Sequence, residues 1–192
     1  MYAPILGDAT FHRFLYQVDE DLAEQARKEA CVFCGARLHS ANYLRHPRGL
    51  PAEELGPGFG LCFSFCCSRD GCRRRHQARS VRFLGPKIYL FAIVLLVSAM
   101  RQGPMRRTAR ELKALFGVDR RTLGRWRMWW QAILPRMEFW RRARGLFPTT
   151  LREDRLSASL LDRFREKSNE LLERVVATLK FLCGLFSPLG AL

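Results

Sequence analysis

Two pairs of cysteines in this chain have the spacing of metal-binding turns. Cys31 and Cys34 enclose two residues and are followed by Gly35, and Cys67 and Cys72 enclose four residues. Zinc in structural sites takes four nitrogen or sulfur ligands in a tetrahedron, and two such turns supply a full set. These four cysteines therefore predict one structural Zn²⁺ ion, whose bonds would stabilise a segment too small to fold alone.

The choice of ligands in the second pair rests on strand geometry. Cys66 directly precedes Cys67, and the residues before the turn have the pattern of a short strand. Side chains alternate along a strand, which puts Cys62 and Cys66 on one face and Cys67 on the other. This favours Cys67 and Cys72 as ligands, with Cys66 and Cys62 as alternatives.

Other interpretations of the thiols stay open. His39 and His76 are reserve ligands, and reduced structural thiols or disulfides are the alternatives to a metal site. Disulfides fit poorly with the seven cysteines, an odd number, and with first residues that lack a basic-then-apolar leader. Cys183 lies in an apolar helical run and is interpreted as a small core residue.

Residues 108–130 have the spacing of a helix-turn-helix around Gly117. Thr108 and Glu111 have capping-box spacing, so the first helix is predicted over Ala109–Phe116. Gly117 can end this helix with a positive φ, and Asp119 can cap the next one. The apolar side chains that would share a small core across the turn are Leu112, Phe116, Val118, Leu123 and Trp126.

The second helix of this motif is predicted from Arg120 to about Ile133. Its leading end is where a helix-turn-helix meets base edges. The candidate DNA contacts are Arg120, Arg121, Thr122, Gly124, Arg125 and Arg127. Arg121 and Arg125 lie one turn apart and are expected to contact guanines, whereas Arg120 and Arg127 are expected to contact phosphates. An ordinary helical hairpin with an arginine surface is the alternative.

The charge distribution favours a polyanionic partner. The chain has 192 residues and a net charge of +15, and residues 101–152 hold 14 basic side chains against three acidic ones. Most of these basic residues are arginines, and a guanidinium forms bidentate hydrogen bonds with phosphate and guanine, which lysine cannot do as well. Arg73, Arg74 and Arg75 follow Cys72 directly, where a rigid turn would hold them against phosphates without reading sequence. Double-stranded DNA is therefore the predicted partner, with a merely solvated basic surface as the alternative.

These features predict a mainly α-helical protein in four parts. A small zinc ribbon of short β-strands is followed by a three-helix helix-turn-helix unit and a C-terminal helix. The boundaries are 1–30 for an N-terminal segment with a helix around Asp19–Ala30, 31–82 for the ribbon, 86–146 for the helix-turn-helix unit and 152–186 for the last helix. The 13 apolar residues of Ile88–Met100 are too few to span a bilayer and predict a buried helix that begins at Pro86.

The last segment carries an apolar seam whose members are Leu172, Val175, Leu179, Leu182 and Phe186. It can pack on its own domain, or pair with a second copy or another protein. A homodimer through this helix would suit a protein that reads a repeated DNA site. No membrane partner is expected, and the predicted location is the bacterial cytoplasm, on the nucleoid.

The motifs together resemble the zinc-ribbon and helix-turn-helix proteins encoded within bacterial insertion sequences. They are the Cys31–Gly35 turn, CCSRDGCRRR, SVRFLGPKIYL and TARELKALFGVDRRTLGRWRMWW. They are similar to the DNA-binding front portions of transposases, over about residues 31–140. The resemblance implies binding to transposon ends. It also implies a separate catalytic transposase, because this chain has no length for the RNase-H-like domain that cuts DNA in such families.

The predicted function is sequence-specific DNA binding, as an accessory or truncated component of a transposition system. A helix-turn-helix transcriptional regulator would use the same residues, and a basic zinc-ribbon RNA-binding protein is a further alternative. The chain shows no nucleophile–base pair, phosphate loop or carboxylate pair. We therefore expect no enzymatic activity from it alone.

Overall fold

A computed structural model describes residues 2–48, 55–84, 89–102, 107–147, 151–164 and 170–184. These residues are mostly helical and include a small three-stranded antiparallel sheet, which confirms the mainly α class. In this part of the chain no helix has the length and apolarity that a membrane span requires.

The chain begins with two helices, α1 (Ala3–Gly7) and α2 (Ala9–Lys28). The sequence predicted only the second half of α2, and the observed start lies earlier because the Asp8 carboxylate accepts the N–H of Thr10 at 2.8 Å and caps the helix. The helix buries one face at three- and four-residue spacing, which carries Phe11, Leu15 and Val18.

The described residues of the cysteine-rich segment, which leave out 49–54, include five short strands: β1 (Leu38–Ser40), β2 (Tyr43–Leu44), β3 (Leu61–Cys62), β4 (Ser64–Cys67) and β5 (Arg75–Gln77). β4 lies between β1 and β5 in an antiparallel sheet, and β2 pairs with β3. The single strand predicted before the second cysteine turn is therefore divided at Phe63 between two sheets. A 3₁₀ turn over Pro57–Gly60 precedes β3.

Helix α3 (Phe91–Gln102) forms the centre of the main core. Every residue from Leu90 to Val97 is fully buried, which confirms the prediction of a helix covered on most sides. Pro86, the predicted helix start, lies outside the described residues, but a start there is wrong. Tyr89 and Leu90 form isolated β-bridges with Arg48 and Phe83, and the helix begins only at Phe91.

The predicted hairpin is present as α4 (Ala109–Phe116) and α5 (Arg120–Met128). α5 continues as a π-helical segment over Trp129–Ile133, so its end agrees with the predicted one. Short helical turns and α6 (Glu138–Ala143) follow, the turns being Leu134–Arg136 and Arg144–Leu146.

The single C-terminal helix predicted over 152–186 is wrong. A 3₁₀ turn (Glu153–Arg155) leads into α7 (Leu156–Arg163), and α8 (Leu171–Cys183) starts again after Glu170, whose backbone is extended. Both helices contact α3. The break lets each of them lay its own apolar face on the buried helix.

The apolar seam of the last segment packs within this chain. Val175, Leu179 and Leu182 are each 0% exposed and belong to the main core, whereas Leu172 is 36% exposed. Phe186 lies outside the described residues. The expected homodimer stays a prediction, and most of the seam is already covered by the protein itself.

The buried side chains form two clusters. The main one combines residues of α1, α2, the α3–α5 region, α7 and α8. The second is small and includes Ala23 of α2, Leu38, Phe65 and two of the cysteines, Cys31 and Cys67. α2 therefore contributes to both clusters and connects them.

Candidate metal centre and nucleic-acid interface

The four predicted cysteine ligands lie together in the structure. The sulfurs of Cys31, Cys34, Cys67 and Cys72 all lie within 4.8 Å of one another. Cys31 Sγ is 3.8 Å from Cys72 Sγ, and Cys34 Sγ is 3.4 Å from Cys67 Sγ. Zinc–sulfur bonds of about 2.3 Å in a tetrahedron require sulfur–sulfur separations of about 3.8 Å. The cluster is therefore close enough to hold one metal ion.

Backbone hydrogen bonds shape the first cysteine turn. The N–H groups of Cys34 and Gly35 both donate to the carbonyl of Cys31, at 3.3 and 2.7 Å. Gly35 has a φ of 69°, a left-handed conformation that costs glycine little. The turn thereby points both sulfurs of the pair in one direction.

The second cysteine turn repeats this arrangement, but an arginine and not a glycine takes the left-handed position. The N–H groups of Cys72 and Arg73 both donate to the carbonyl of Arg69, each at 3.0 Å. Arg73 takes the left-handed position, with a φ of 44°, which is strained for a residue with a side chain. The Arg69 N–H also lies 3.4 Å from Cys67 Sγ and donates to it.

The surroundings of the sulfurs shift their pKa values in opposite directions. The N–H of Ala36 donates to the Cys34 sulfur and is the main cause that lowers the pKa of Cys34 to about 7. Burial raises the pKa of the Cys31 thiol, but the N–H groups of Phe33 and Cys34 and His76 outweigh it, and the net shift is downward. Burial raises the pKa of Cys67 to about 12. A cation among these sulfurs would stabilise their thiolate forms.

The alternative ligands lie outside the sulfur cluster or beside it. Cys66 points away from the cluster, and its thiol donates to the carbonyl of Arg73 at 3.5 Å. Cys62 belongs to the main core, and His39 is exposed. His76 is buried beside the cluster, and its Nε2 lies 3.2 Å from Cys31 Sγ, within hydrogen-bond distance of that sulfur. The strand alternation used in the sequence thus selected the two cysteines whose sulfurs lie with those of Cys31 and Cys34.

The arginines that follow Cys72 lie at the surface of this unit. Arg73, Arg74 and Arg75 are exposed, and Arg73 pairs with Asp70 at 3.0 Å. The Arg74 guanidinium lies 4.2 Å from the ring centroid of Phe33, a side chain that is 56% exposed. Phe33 was missed in the sequence, where it reads as an ordinary residue between two ligands.

Arg82 follows these surface arginines in the sequence, but it does not belong to the basic surface. Its side chain is 0% exposed and lies 2.8 Å from the carboxylate of Asp19. It also donates to the carbonyls of Phe59 and Leu61 and lies 4.4 Å from the ring centroid of Tyr16. A buried guanidinium with these partners joins segments of the fold and is not available to a ligand.

Every predicted signal around Gly117 is present. The Thr108 N–H donates to Glu111 Oε2 at 2.5 Å, and the Glu111 N–H donates to Thr108 Oγ1 at 3.2 Å, which completes the capping box. Gly117 ends α4 with a φ of 63°. The Thr122 N–H donates to Asp119 Oδ1 at 2.7 Å and is the main cause that lowers the pKa of Asp119.

The two helices share the predicted core. Leu112, Val118 and Trp126 are 0%, 0% and 3% exposed. Leu123 is 9% exposed, and Phe116 packs against the same cluster. The position of α5 is thus determined by buried apolar contacts together with caps at its leading end.

The outer face of α5 is strongly basic. Arg120, Arg121, Arg125 and Arg127 are exposed, with Gly124 among them. At 3.6 residues per turn, Gly124 lies near the middle of this face, Arg121 and Arg125 flank it on one side, and the other two arginines flank it on the opposite side.

Thr122 does not face outward as the sequence predicted. Its side chain is 3% exposed, and its hydroxyl donates to Asp119 Oδ2 at 3.2 Å. Thr122 Oγ1 in turn accepts a hydrogen bond from Arg125 Nη2 at 2.9 Å. Thr122 therefore holds the position of the Arg125 guanidinium instead of offering its own side chain to a ligand.

Gly124 has no packing reason to be a glycine. A Cβ atom built at this position meets nothing within 4 Å, and the helical φ is one that any residue adopts. Glycine in a helix interior costs about 1 kcal/mol relative to alanine. The fold alone would be more stable with alanine here, which points to a requirement outside the folded chain.

Beyond Arg120 and Arg127, the face of α5 borders an open groove. Its other walls come from distant parts of the sequence, and they include Ser98, Arg101, Arg152 and Arg155. Residues separated by more than fifty positions carry no common local pattern, so the sequence could not indicate this groove.

Comparison with known proteins gives no further information on the site. No protein-family model, curated protein or solved structure matches the chain. The function must therefore be argued from the cysteine cluster and the basic face of α5.

Proposed function

We propose that this protein binds double-stranded DNA in a sequence-specific manner and has no catalytic activity of its own. The observation that carries the proposal is the outer face of α5, where Gly124 lies between arginines on a helix fixed by caps and core packing. In a helix-turn-helix such a helix enters the major groove. A glycine in the middle of that face lets the helix axis approach the bases closely.

In this proposal two arginines of α5 contact bases and two contact phosphates. Arg121 and Arg125 read guanine edges, because a guanidinium can donate to both O6 and N7 of guanine. Arg120 and Arg127, on the other side of Gly124, contact phosphates and fix the orientation of the helix. The hydrogen bond from Arg125 to Thr122 supports this division, since a guanidinium already held in place loses less entropy on binding.

The cysteine cluster holds one Zn²⁺ ion in this proposal. Four thiolate sulfurs at near-tetrahedral spacing suit Zn²⁺, which prefers this geometry in structural sites. The residues fit the ion because N–H groups of both turns donate to ligand sulfurs, as they do around bound metals. The ion would supply no chemistry on a substrate and would fix the strands that carry Arg73, Arg74 and Arg75.

The resemblance to insertion-sequence proteins suggests the biological role. We propose that the chain recognises transposon ends as a DNA-binding component that acts with a separate catalytic transposase. A transcriptional regulator would use the same face of α5, and the two roles differ in which DNA is bound.

Selection of bound fragments from genomic DNA tests the proposal. The purified zinc-loaded protein is mixed with sheared genomic DNA, the retained fragments are sequenced, and a pool of structured RNA serves as a parallel arm. Enrichment of a short motif next to inverted repeats supports the transposition role, and enrichment at promoters supports the regulator. Retention of RNA without any retention of duplex DNA would overturn the proposed function.

A further inference from the structure

The groove beside α5 is a pocket of about 440 Å³ with walls from four parts of the fold. α3 contributes Ser98 and Arg101, α4 contributes Ala109, and α5 and its π-helical continuation contribute one face. The segment before α7 closes the remaining side. The charged and polar residues in its lining are Ser98, Arg101, Arg120, Arg127, Gln131, Arg152, Asp154 and Arg155.

The charge of this groove is strongly positive. Five arginines line it against one carboxylate, and that carboxylate is already engaged: Arg152 donates to both oxygens of Asp154, at 3.2 and 3.1 Å. Arg101, Arg120, Arg127 and Arg152 are exposed and Arg155 is half-buried, so their guanidinium groups are accessible to a ligand. Like charges brought this close repel one another unless an anion lies between them.

On the α3 side of the groove, a buried hydroxyl without a hydrogen-bond partner in the described part of the chain gives a second, independent indication of a ligand. Ser98 is 5% exposed in a helix that is otherwise almost wholly apolar, and it lines the groove. Its hydroxyl has no hydrogen-bond partner among the described residues. A buried hydroxyl without a partner is costly, and buried polar groups in folded proteins are nearly always bonded. The hydroxyl oxygen itself has almost no exposed surface, so a ligand oxygen would accept its proton only when seated deep against α3.

Hydrogen bonds across the groove fix its shape. Gln131 Nε2 donates to the carbonyl of Asp154 at 3.1 Å, and Arg127 Nε donates to Gln131 Oε1 at 3.1 Å. The π-helical segment that contains Gln131 is thereby tied to the segment before α7. The two walls are thereby held together before a ligand binds, which lowers the ordering cost of binding.

We infer that this groove binds the phosphate backbone of the DNA strand that borders α5. The inference rests on the proposed function, because Arg120 and Arg127 belong to both the groove and the outer face of α5. A duplex seated on α5 presents one backbone on each side of the helix, and the groove lies on the Arg120 side. Arg101, Arg152, Arg155 and the hydroxyl of Ser98 are then phosphate contacts that lie outside the helix-turn-helix.

Salt-dependent binding of a random-sequence duplex tests this inference. Fluorescence anisotropy is measured with a duplex of about 20 bp between about 50 and 200 mM salt. The variants are Arg155→Gln and Ser98→Ala, with Arg141→Gln as the matched control, since Arg141 is an exposed arginine on α6 outside the groove. Circular dichroism and metal content establish that each variant is folded.

The groove variants should change DNA binding in ways that the control variant does not. Arg155→Gln should reduce the slope of log K against log salt by about one, because one phosphate contact is lost. Ser98→Ala should weaken binding several-fold at every salt concentration without changing the slope, because a neutral hydrogen bond is lost. Arg141→Gln should leave both quantities unchanged.

Two outcomes overturn the inference and are distinguishable. If the wild-type protein binds the duplex and both groove variants bind like it, the groove takes no phosphate and the proposed function stands. If the wild-type protein binds no duplex even at about 50 mM salt, the proposed function and the inference fail together.

Discussion

Arg82 Nε lies 2.8 Å from Asp19 Oδ2, and these side chains are 0% and 1% exposed. Asp19 also accepts hydrogen bonds from Ser80 Oγ at 2.5 Å and from the N–H of Val81 at 2.7 Å. The pair joins α2 to the segment after β5, and Arg82 joins both to the carbonyls around β3. One buried ion pair therefore connects three segments that are distant in sequence.

Removal of one partner of this pair should destabilise the protein strongly. Asp19→Ala leaves the Arg82 guanidinium buried without its counter-charge, and breaking such a pair costs about 3–5 kcal/mol. Lys28→Ala is the control and should change stability little, because the Lys28–Glu24 pair is exposed and screened by solvent. The free energy of unfolding in urea measures both. An equally small loss in the two variants would contradict the structural role of Arg82.

Metal content should depend on four of the seven cysteines. Replacement of Cys34 or Cys67 with Ser removes a ligand sulfur, and bound zinc should fall from about one ion per chain to near zero. Cys66→Ser and Cys183→Ser should retain the ion, since Cys66 points away from the cluster and Cys183 is buried in the main core. Elemental analysis of the dialysed proteins gives the ratio. If Cys66→Ser lost zinc and Cys67→Ser retained it, Cys66 and not Cys67 would be the ligand.

Zinc affinity should fall as the pH falls. Metal binding requires thiolates, and in the metal-free protein the pKa of Cys67 is about 12, so its proton must be displaced at any pH near neutrality. The pKa of Cys34 is about 7, so a second proton must be displaced below that pH. The apparent affinity should therefore drop at least about tenfold per pH unit, and more steeply below about pH 7. Competition with a chelator of known affinity measures the slope, and a flat profile would exclude thiolate coordination.

Gly124→Ala should separate stability from DNA binding. The added methyl group meets open space, so the helix should gain about 1 kcal/mol of unfolding free energy. On DNA the same methyl group lies between α5 and the bases, and affinity should fall. Gly145→Ala, where a Cβ also meets nothing within 4 Å, is the control and should leave affinity unchanged. A Gly124→Ala protein that is more stable and binds equally well would show that α5 does not approach DNA closely.

Arg121→Ala and Arg125→Ala should each reduce sequence discrimination. Each loses a bidentate contact to guanine, at a cost of about 1–3 kcal/mol on the selected site and much less on random DNA. Arg127→Ala should weaken binding to both DNAs by the same factor, because phosphates carry no sequence information. Competition between the selected duplex and a scrambled duplex measures the ratio. Equal losses on both duplexes would assign Arg121 and Arg125 to phosphates.

The sequence was sufficient where the structure depends on neighbours along the chain. The capping box at Thr108, the left-handed glycine at position 117 and the cap at Asp119 each involve residues within four positions. The cysteine pairs are also local signals, and strand alternation was enough to prefer Cys67 over Cys66. Zinc, DNA binding and transposition remain proposals.

The sequence failed where the outcome depends on distant contacts. Arg82 follows a run of surface arginines, and only the approach of Asp19, sixty-three positions away, makes it a buried residue. The last segment has continuous apolar periodicity, yet α7 and α8 separate because each packs on α3. Thr122 is a different case, because its burial has a local cause: a helical wheel with Gly124 at the middle of the outer face already puts Thr122 on the opposite side, where it bonds with Asp119 and Arg125.

Helix α2 has a further consequence through its contribution to both buried clusters. α2 has 20 residues and is about 30 Å long. A helix resists bending, so α2 keeps the cysteine unit at a fixed position relative to the main core. The surface of Arg73, Arg74 and Arg75 and the outer face of α5 are thereby held at a fixed spacing. Together they would act as a bivalent ligand for a polyanion. A partner whose two binding sites match this spacing binds with higher overall affinity, because the first contact raises the effective concentration for the second. A partner that does not match it gains no affinity from the second surface.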